Sequence, residues 1–330
     1  MNDLLTRPHI SVVIPTCNRP RLLKGCLQSV LAQTLPPSEV VISEDGSNEE
    51  TSATVEWFRN KLGRDKVIYV RNNPPRLQLE NRRQAFKMAS GEFVAMLDDD
   101  DEWEPEFLEQ TYQALVRHPE CAFCSTDHWI MDSESCILPL ESEKAAHAFG
   151  RLSMTSGVYT DVLDRVLDLQ PFSLHTTLFR RTVLESVGFI PPYGGTVPDF
   201  GLFLAIGAKR ANAYYVARRL GRYRIHQGQQ TAKRLENAKS KVDCIKGFVH
   251  EYGHCLSKRQ YLKVRRMYRL SVVELAVAYG HMGDRASAFK TLARCFELGP
   301  GILPISRLFV LALLAMGVTK DSIRSLVARD

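Results

Sequence analysis

Short apolar runs alternate along residues 10–126 with segments in which apolar residues recur every three or four positions. Residues 10–15 (ISVVIP) form a β-branched run ending near proline, which is typical of a buried strand. Residues 20–34 have helical spacing, and Pro20 suits the first turn of a helix. The same alternation predicts further strands and helices, in the order 40–43, 49–62, 66–70, 79–89, 92–97, 104–117 and 121–126. Repeated strand–helix units indicate an α/β fold with a mainly parallel sheet and helices on both faces.

The pattern changes in the second half of the chain. Residues 129–230 mix short strands, loops and helices, and the Pro/Gly cluster at 190–199 (IPPYGGTVPD) predicts a long loop. Beyond residue 231 nearly all of the sequence has helical character. Residues 283–300 resemble half of a tetratricopeptide-type repeat, but no second copy with a convincing period accompanies them. We therefore predict an α/β domain over residues 1–230 and a helical C-terminal region over residues 231–330.

The basic residues are concentrated in one stretch. The formal net charge is +6, and residues 231–269 contain eleven Lys or Arg against three Asp or Glu. A solvated helix face is the simpler interpretation, and attraction to anionic lipid head groups or a phosphate-bearing substrate is the functional one. Nucleic-acid binding is disfavoured because no recognition motif accompanies the charge. The candidate membrane contact comprises Lys258, Arg259, Lys263, Arg265 and Arg266.

The sequence predicts neither a secretory signal nor a membrane span. The first ten residues lack a basic segment followed by an apolar run, and the longest apolar candidate, residues 308–318, is shorter than the ~18–20 residues that cross a bilayer. The eight cysteines are expected to be free thiols, since the Cys121–Cys124 pair lies in a predicted strand and has no second pair to complete a zinc site. We expect a cytoplasmic protein, held at the inner membrane face if the basic helices bind lipid.

The strongest chemical signal is a run of five carboxylates, residues 98–102, directly after the apolar strand FVAML. Ligands bind at the carboxyl ends of strands in open parallel sheets, and adjacent like charges repel unless water or a cation offsets them. Oxygen-rich sites suit Mg²⁺ or Mn²⁺, which often share their ligands with substrate phosphates. The alternative is an acidic helix start, which explains Glu102 and Glu104 but not the whole run.

Two further strand ends carry polar side chains. Thr16, Asn18 and Arg19 follow the first strand, and Arg19 suits an anion at the following helix N-terminus. Asp45 begins an Asp-Gly-Ser turn after the second strand. Each signal alone also fits an ordinary turn, and the first lacks the G-x-G-x-x-G of a standard dinucleotide fold. Together, three successive strand ends on one sheet edge suit a nucleotide with a metal-bound diphosphate.

These motifs and their order resemble the family-two glycosyltransferases of the GT-A fold. The resemblance covers residues 10–127 and rests on VVIPTCNRP, SEDGSNE and NRRQAFKMASGEFVAMLDDDDEWEP. Weaker echoes follow in HTTLFRRTVLESVGF, PDFGLFLAIGA and YRIHQGQQT. The resemblance implies a nucleotide-binding half over residues 8–127 and an acceptor half over residues 128–230.

The resemblance also implies roles for individual residues on the donor side. Asp45 would bond the nucleobase and Arg82 would lie near the diphosphate, although Arg82-Arg83 stands where the family usually has Arg-Asn. The second arginine would strengthen diphosphate binding or face solvent. The residues expected to border the base, the ribose or the rest of the donor are Pro15, Thr16, Asn18, Arg19, Asp98 and Asp99.

The metal and the base complete the implied site. Asp98 and Asp100 would form the D-x-D pair, with Asp100 binding Mn²⁺ or Mg²⁺ and Asp98 reaching the ribose or the metal. His226 would be a further metal ligand, or else a loop histidine with a local hydrogen bond. Asp199 would be the catalytic base, although Pro198 replaces the first residue of the Glu-Asp pair that the family often has.

The function implied is that of an inverting, metal-dependent hexosyltransferase. It would move a sugar from a nucleoside-diphosphate sugar, a UDP-sugar by preference, to a hydroxyl of a glycan or lipid-linked acceptor in surface polysaccharide synthesis. The alternatives are a polyprenyl-phosphate sugar transferase, which needs no base, and a catalytically inactive sugar-nucleotide-binding protein. A nucleotidyltransferase is disfavoured because CNRPRLL lacks the usual glycine-rich loop.

Overall fold

The computed structural model describes residues 8–226, 229 and 233–299. The chain divides into two compact units. The described part of the first unit covers residues 8–192 and 198–226, and that of the second covers residues 193–197, 229 and 233–299. No helix within these ranges is long and apolar enough to cross a membrane.

The first unit is built on one mixed sheet, with nine strands in its described part. The strands are β1 (Ile10–Thr16), β2 (Glu39–Glu44), β3 (Val67–Arg71), β4 (Phe93–Met96), β5 (Glu102–Trp103), β6 (Cys121–Met131), β7 (Gly157–Tyr159), β8 (Thr177–Arg180) and β9 (Asn212–Arg224). Their order across the sheet is β3-β2-β1-β4-β8-β6-β9-β5, and β7 pairs with β9. The predicted strand–helix alternation is confirmed in the first half of this unit.

The sheet is parallel from β3 to β4 and mixed beyond. Strand β8 runs antiparallel between β4 and β6, so β6 is not the neighbour of β4 that a simple repeat suggests. Strand β6 pairs in parallel with β9, with register shifts around Asp127. Apolar patterning identifies strands but not their neighbours, which explains why the inserted strand escaped prediction.

Eight helices belong to the described part of the first unit. They are α1 (Pro20–Leu31), α2 (Glu49–Leu62), α3 (Leu77–Met88), α4 (Phe107–Arg117), α5 (Pro139–Ala148), α6 (Val162–Asp168), α7 (Arg181–Ser186) and α8 (Pro198–Ala208). Helix α1 begins with the predicted proline. Helix α8 begins inside the predicted 190–199 loop, so Asp199 lies in the first turn of a helix.

Apolar residues on one face of the sheet pack against α1, α2 and α4. Ile14 from β1, Ile42 from β2 and Leu97 after β4 are fully buried there with Phe58 and Phe107. Burial of a large apolar side chain contributes roughly 1.5–3 kcal/mol. This core fixes β1, β2 and β4 side by side and thereby brings their carboxyl ends together.

The described part of the second unit is helical beyond residue 233. It contains α9 (Arg234–Tyr252), α10 (Lys258–His281) and α11 (Arg285–Ala293). Helix α10 starts with a capping box in which Ser257 and Gln260 satisfy each other's backbone N–H groups. Val264, Tyr268 and Leu275 of α10 are buried, so this helix presents one apolar face to its own unit.

Candidate active site

The ends of β1, β2 and β4 meet at one edge of the sheet, as the sequence predicts. The Asp45 N–H donates to the Thr16 carbonyl at 2.9 Å, and the Leu97 N–H donates to the Val13 carbonyl at 3.0 Å. Thr16 also donates its hydroxyl to Asp99 at 2.7 Å. The three strand ends are therefore joined by backbone hydrogen bonds, and the side chains of Thr16 and Asp99 are in direct contact.

Asp45 is the centre of a buried polar network. Its Oδ1 accepts from Asn72 Nδ2 at 2.8 Å and from the Arg76 N–H at 2.9 Å. Asn72 also donates to Asn81 Oδ1 at 3.0 Å, and Asn81 in turn accepts from the Ser43 hydroxyl at 2.6 Å. Both described bonds to Asp45 reach the same oxygen, so this carboxylate is held in place by one oxygen only.

Sequence analysis missed Asn72 and Asn81. Asn72 directly follows β3, so it is a fourth strand-end residue that the strand-end rule could have identified. Asn81 precedes Arg82 on α3 and bonds the Ser43 carbonyl at 3.0 Å. Its role depends on contacts with β2, about forty residues earlier, which helical spacing alone does not reveal.

The turn after β1 is fastened to the turn after β2. Asn18 has a positive φ of 54°, and its Oδ1 accepts from the Ser47 and Asn48 N–H groups at 3.1 and 3.2 Å. A Cβ at Gly46 would lie 2.2 Å from Asn18 Oδ1, so a larger residue there would have to displace the Asn18 side chain. Pro15 is buried within β1. The structure therefore places Asn18 and Pro15 at the predicted edge, where both have structural contacts.

The acidic run alternates between inward and outward positions. Asp99 and Asp101 are buried, at 5% and 1% exposure, whereas the side chains of Asp98 and Asp100 keep 24% and 16%. Burial, and then repulsion from Asp100, raises the pKa of Asp99 to about 7. The same two causes raise the pKa of Asp101 well above its ordinary value. The site therefore carries more negative charge than its surroundings favour.

Arginines of β9 hold the far end of the run. The Arg224 N–H donates to Asp101 at 2.9 Å, and its guanidinium donates to the Asp100 carbonyl at 2.7 Å and to Glu102 at 2.6 Å. Arg222 bonds both carboxylate oxygens of Glu104, at 2.8 and 3.0 Å. Glu102 and Glu104 thus pair with β9, and Glu102 lies in β5 instead of starting a helix. The sequence signal was the basic segment RRLGRYR at 218–224.

The two arginines of α3 have separate partners. Arg82 is nearly buried and donates to Asp98 at 2.6 Å, within the predicted donor site. Arg83 donates to Glu80 of the same helix at 2.7 Å. The extra arginine of this chain is thus engaged on α3 itself, whereas Arg82 points into the site.

Asp199 faces the same edge from α8. It is half-buried, and its Oδ2 accepts from the Leu174 N–H at 2.9 Å. Burial raises the pKa of the Asp199 carboxyl, and the charge of Asp98 acts in the same direction, while the Leu174 N–H and Arg82 oppose it. A carboxylate with a raised pKa and a fixed orientation has the properties of a general base.

A short turn at Leu174–Thr176 joins Asp199 to the acidic run. Leu174 supplies the N–H to Asp199, and the next residue, His175, accepts at its carbonyl from Trp103 Nε1 at 2.6 Å. The His175 ring lies 4.0 Å from Asp101, and burial lowers its pKa to about 4, so it is neutral at physiological pH. Sequence analysis did not identify Trp103 or His175, because their link spans seventy-two residues.

The predicted metal ligands are only partly brought together. His226 Nε2 lies 3.1 Å from Asp100 Oδ2, and Arg19 contacts the same oxygen at 3.0 Å and Asp99 at 3.3 Å. Asp98 instead pairs with Arg82. Within residues 8–226, 229 and 233–299, no three His, Cys, Asp or Glu side chains form a metal-binding cluster. The Asp100 carboxylate and His226 Nε2 are nevertheless ligands of the kinds that Mn²⁺ and Mg²⁺ accept.

Comparison with known families decides the classification. The family described as glycosyl transferase family 2 matches residues 11–188, more than half of the chain. The chain belongs to glycosyl transferase family 2. The predicted resemblance is thereby confirmed, and with it the assignment of this chain to glycosyltransferases.

Relatives and one solved structure are consistent with this family. TuaG of Bacillus subtilis (strain 168), provisionally named a teichuronic acid biosynthesis glycosyltransferase, is 26% identical over 234 residues, which cover 71% of this chain and 85% of TuaG. WfaP of Escherichia coli is named a UDP-Glc:α-D-GlcNAc-diphosphoundecaprenol β-1,3-glucosyltransferase. It is 23% identical over 227 residues, which cover 69% of this chain and 81% of WfaP. The mannosyltransferase PcManGT of Pyrobaculum calidifontis, solved with GDP-Man and Mn²⁺, is 17% identical with a TM-score of 0.56, covering 97% of this chain and 88% of that one. Its likeness confirms the predicted GT-A fold.

Proposed function

We propose that this family-two glycosyltransferase moves a sugar from a UDP-sugar to a hydroxyl of a glycan or lipid-linked glycan, with inversion at the anomeric carbon. One observation carries the proposal: Asp45 after β2, the acidic run after β4 and Asp199 of α8 face one sheet edge from three different elements. This arrangement supports a nucleobase contact, a diphosphate contact and a base at one sheet edge, as an inverting transfer needs.

Asp45 and Arg82 are the residues that we propose bind the donor. Asp45 is fixed through Oδ1, which leaves Oδ2 to accept an N–H of a uracil-like base. Arg82 is nearly buried beside Asp98 and suits a diphosphate oxygen, since guanidinium groups bind phosphate in two-pronged geometry. WfaP, whose name includes UDP-Glc, supports a uridine donor.

We assign a divalent cation, Mn²⁺ or Mg²⁺, to Asp100 and His226, with Asp98 as a further candidate ligand. Burial and then repulsion from Asp100 raise the pKa of Asp99, and a bound cation would relieve that repulsion, which Arg19 partly offsets. Such a cation would offset the charge that develops on the leaving diphosphate. The Mn²⁺ in the PcManGT complex supports this assignment.

Asp199 acts as the base in this proposal. Its Oδ2 is held by the Leu174 N–H, which orients the carboxylate without neutralising it. It removes the proton of the acceptor hydroxyl, and that oxygen attacks the anomeric carbon on the face opposite the diphosphate. The acceptor bond to carbon forms as the bond from carbon to the diphosphate breaks, so the sugar is transferred with inversion.

The decisive experiment compares wild type, Asp199→Asn and the control Asp161→Asn, which alters an aspartate at the start of α6. UDP release from UDP-glucose, UDP-galactose and UDP-N-acetylglucosamine is measured with Mn²⁺, alongside calorimetric UDP binding. We expect Asp199→Asn to lower turnover by ~10²–10⁴-fold with UDP affinity unchanged, and Asp161→Asn to leave both intact. UDP binding without release in wild type would indicate an inactive binding protein, and full turnover in Asp199→Asn would favour a phosphate acceptor that needs no base.

The metal assignment has its own test. Asp100→Ala should abolish UDP release and remove the dependence of UDP affinity on Mn²⁺. EDTA should abolish the wild-type reaction reversibly, because added Mn²⁺ restores it. Full activity in EDTA would contradict the assignment.

We further propose that α10 holds the enzyme at an anionic membrane surface, the inner face of the cytoplasmic membrane. Residues four apart on a helix share a face, and cations interleaved with exposed leucines are typical of interfacial helices. Leu262 and Leu270 are 52% and 50% exposed, whereas Lys263 and Arg265 are only half-exposed. The exposed stripe comprises Lys258, Arg259, Leu262, Arg266 and Leu270.

Co-sedimentation with vesicles tests the stripe. Each basic residue near an anionic surface contributes ~1 kcal/mol, screened over ~8 Å at physiological salt. Binding to phosphatidylglycerol vesicles should fade with salt and weaken when Lys258, Arg259 and Arg266 become Gln. The matched control neutralises three exposed basic residues at the start of α9, namely Lys233, Arg234 and Lys239. Equal recovery with anionic and neutral vesicles would leave a solvated helix face, and equal effects of both triple variants would indicate nonspecific attraction.

A further inference from the structure

The first unit contains an open cavity of about 750 Å³ that has no role in the proposed reaction. Residues that line it include Asp127 and Trp129 of β6, Glu143 of α5, Arg151, and Arg219 of β9. Neither Asp45, the residues 98–101 nor Asp199 contribute to the lining. Its volume lies within the ~300–1,000 Å³ of ordinary ligand sites.

The charges of this cavity are paired with each other. Arg151 contacts Asp127 at 2.6 Å, and Arg219 contacts Asp127 at 3.3 Å and Glu143 at 2.7 Å. Carboxylates slightly outnumber guanidinium groups in the lining, which includes Glu104, Glu106 and Arg218 as well. A phosphate or other anion would have to displace these carboxylates, so the electrostatics favour an uncharged ligand.

The lining combines hydrogen-bonding groups with apolar surface. Carboxylate oxygens accept and guanidinium N–H groups donate, so the wall presents both functions to a ligand whose hydroxyls do both. Trp129 is half-buried with the Arg219 guanidinium 4.5 Å from its ring centroid, and Leu152 is 54% exposed. Alternating polar groups and apolar patches match the alternating hydroxyl and C–H surfaces of a sugar ring.

The cavity is near the reaction centre along the chain. Glu104 lines it, and only two residues separate Glu104 from Asp101. Three residues of extended chain span at most about 11 Å, which bounds the distance between their Cα atoms. Arg151 also lies 3.3 Å from His128, whose ring is 4.8 Å from that of His175. A chain of contacts thus leads from Asp199 through Leu174, His175 and His128 to the cavity wall, as expected if one glycan occupies both places.

We propose that this cavity binds an uncharged sugar residue of the acceptor, one or more units behind the hydroxyl that reacts. That the bound sugar belongs to the acceptor rests on the proposed function. That the cavity binds a neutral oligosaccharide does not. The cavity then selects acceptors by their internal sugars, while the donor site selects the sugar that is added.

The test fills the cavity with a side chain and measures saccharide binding directly. Ala217 of β9 lines the cavity and is exposed, so Ala217→Trp should obstruct it without disturbing the core. The control is Ala53→Trp, at an exposed alanine of α2 that does not line the cavity. Glu143→Gln is a milder variant at an exposed side chain. It removes the negative charge of this carboxylate and keeps the shape of the side chain. Thermal unfolding verifies that all variants are folded.

The probes are neutral tri- and tetrasaccharides of glucose, galactose, N-acetylglucosamine and N-acetylgalactosamine, with digalacturonate as the anionic comparison. Saturation-transfer NMR and calorimetry should show binding of at least one neutral probe in the presence of saturating UDP. We expect at least about tenfold weaker binding in Ala217→Trp, a smaller loss in Glu143→Gln and no change in Ala53→Trp. Absence of binding in wild type, equal binding in Ala217→Trp, or preference for digalacturonate would overturn the proposal.

The outcomes separate this proposal from the proposed function. If Asp199→Asn retains full turnover while Ala217→Trp loses saccharide binding, the base is wrong and the cavity stands. If Asp199→Asn is inactive and Ala217→Trp binds every probe normally, the enzyme stands and the cavity assignment fails.

Discussion

Asp45→Asn isolates the proposed contact with the nucleobase from the structural role of the same side chain. Oδ1 of Asp45 accepts from Asn72 and from the Arg76 N–H, and the amide oxygen of asparagine can accept both bonds. The second oxygen is replaced by an NH₂ group, which donates and cannot accept the N–H of uracil. The substitution therefore keeps the network and removes the proposed base contact.

The expected loss follows from the strength of one charge-assisted hydrogen bond. A hydrogen bond to a charged group contributes ~1.5–3 kcal/mol, which corresponds to roughly a 10–150-fold rise in the Kd for UDP. Asp45→Ala should lose the same contact and also the two bonds that Asn72 Nδ2 and the Arg76 N–H donate to Asp45. Its unfolding free energy should therefore fall by a further ~1–3 kcal/mol, whereas Asp45→Asn should unfold near the wild-type temperature.

Calorimetric titration with UDP and thermal unfolding of each variant decide the matter. The matched control is Asp132→Asn, because Asp132 Oδ1 likewise accepts two backbone N–H bonds at 2.9 Å, from Glu134 and Cys136, in a turn outside the site. Asp132→Asn should bind UDP normally. If Asp45→Asn binds UDP as tightly as wild type, the proposed nucleobase contact is refuted. If its unfolding temperature drops by a large amount, then the assignment of a structural role to Oδ1 and of nucleobase binding to Oδ2 is refuted.

Four further outcomes follow from other contacts of the site. Turnover should fall as pH drops through the raised pKa of Asp199, so the acid limb of the kcat profile should lie above the ~3.9 of an ordinary aspartate, and a limb at or below that value would contradict the raised pKa. Because the folded state holds that proton more tightly than the unfolded one, Asp199→Asn should unfold at or above the wild-type temperature at pH 7, and this advantage should shrink as pH falls. Trp103→Phe should lose the bond to the His175 carbonyl and about 1 kcal/mol of unfolding free energy in denaturant titrations, with unchanged stability as the contrary result. Gly46→Ala should overlap Asn18 Oδ1 and cost about 1–3 kcal/mol, and a neutral effect would show that the turn has room to spare.

The parts of the site that the sequence predicts are those fixed by local pattern. Apolar runs identify β1, β2 and β4, and the rule that ligands bind at the carboxyl ends of parallel strands then places Thr16, Asp45 and the acidic run together. The resemblance to family-two enzymes adds Arg82, whose contact with Asp98 lies within one helix–strand unit. A local sequence pattern, combined with this rule or with the family resemblance, made these features predictable.

The features that escaped prediction depend on contacts between distant segments. Arg224 bonds the acidic run across more than a hundred residues, and Asp199 meets the Leu174 N–H across twenty-five. The insertion of β8 between β4 and β6 depends on which strands pair, a choice that periodicity does not encode. The alternative interpretation of Glu102 as part of an acidic helix start is wrong for the same reason, since the arginine it pairs with belongs to β9.

The alternation within the acidic run makes its length as important as its composition. Asp99 and Asp101 point inward to Thr16 and β9, while Asp98 and Asp100 point outward. Deleting or inserting one residue here would break the turn in which the Asp101 N–H donates to the Asp98 carbonyl at 3.1 Å, even if every position remained aspartate. The anchoring carboxylates of Asp99 and Asp101 would then lose their positions beside Thr16 and Arg224. A substitution in this run changes the contacts of one residue. The insertion or deletion of one residue would change the contacts of the whole run at once.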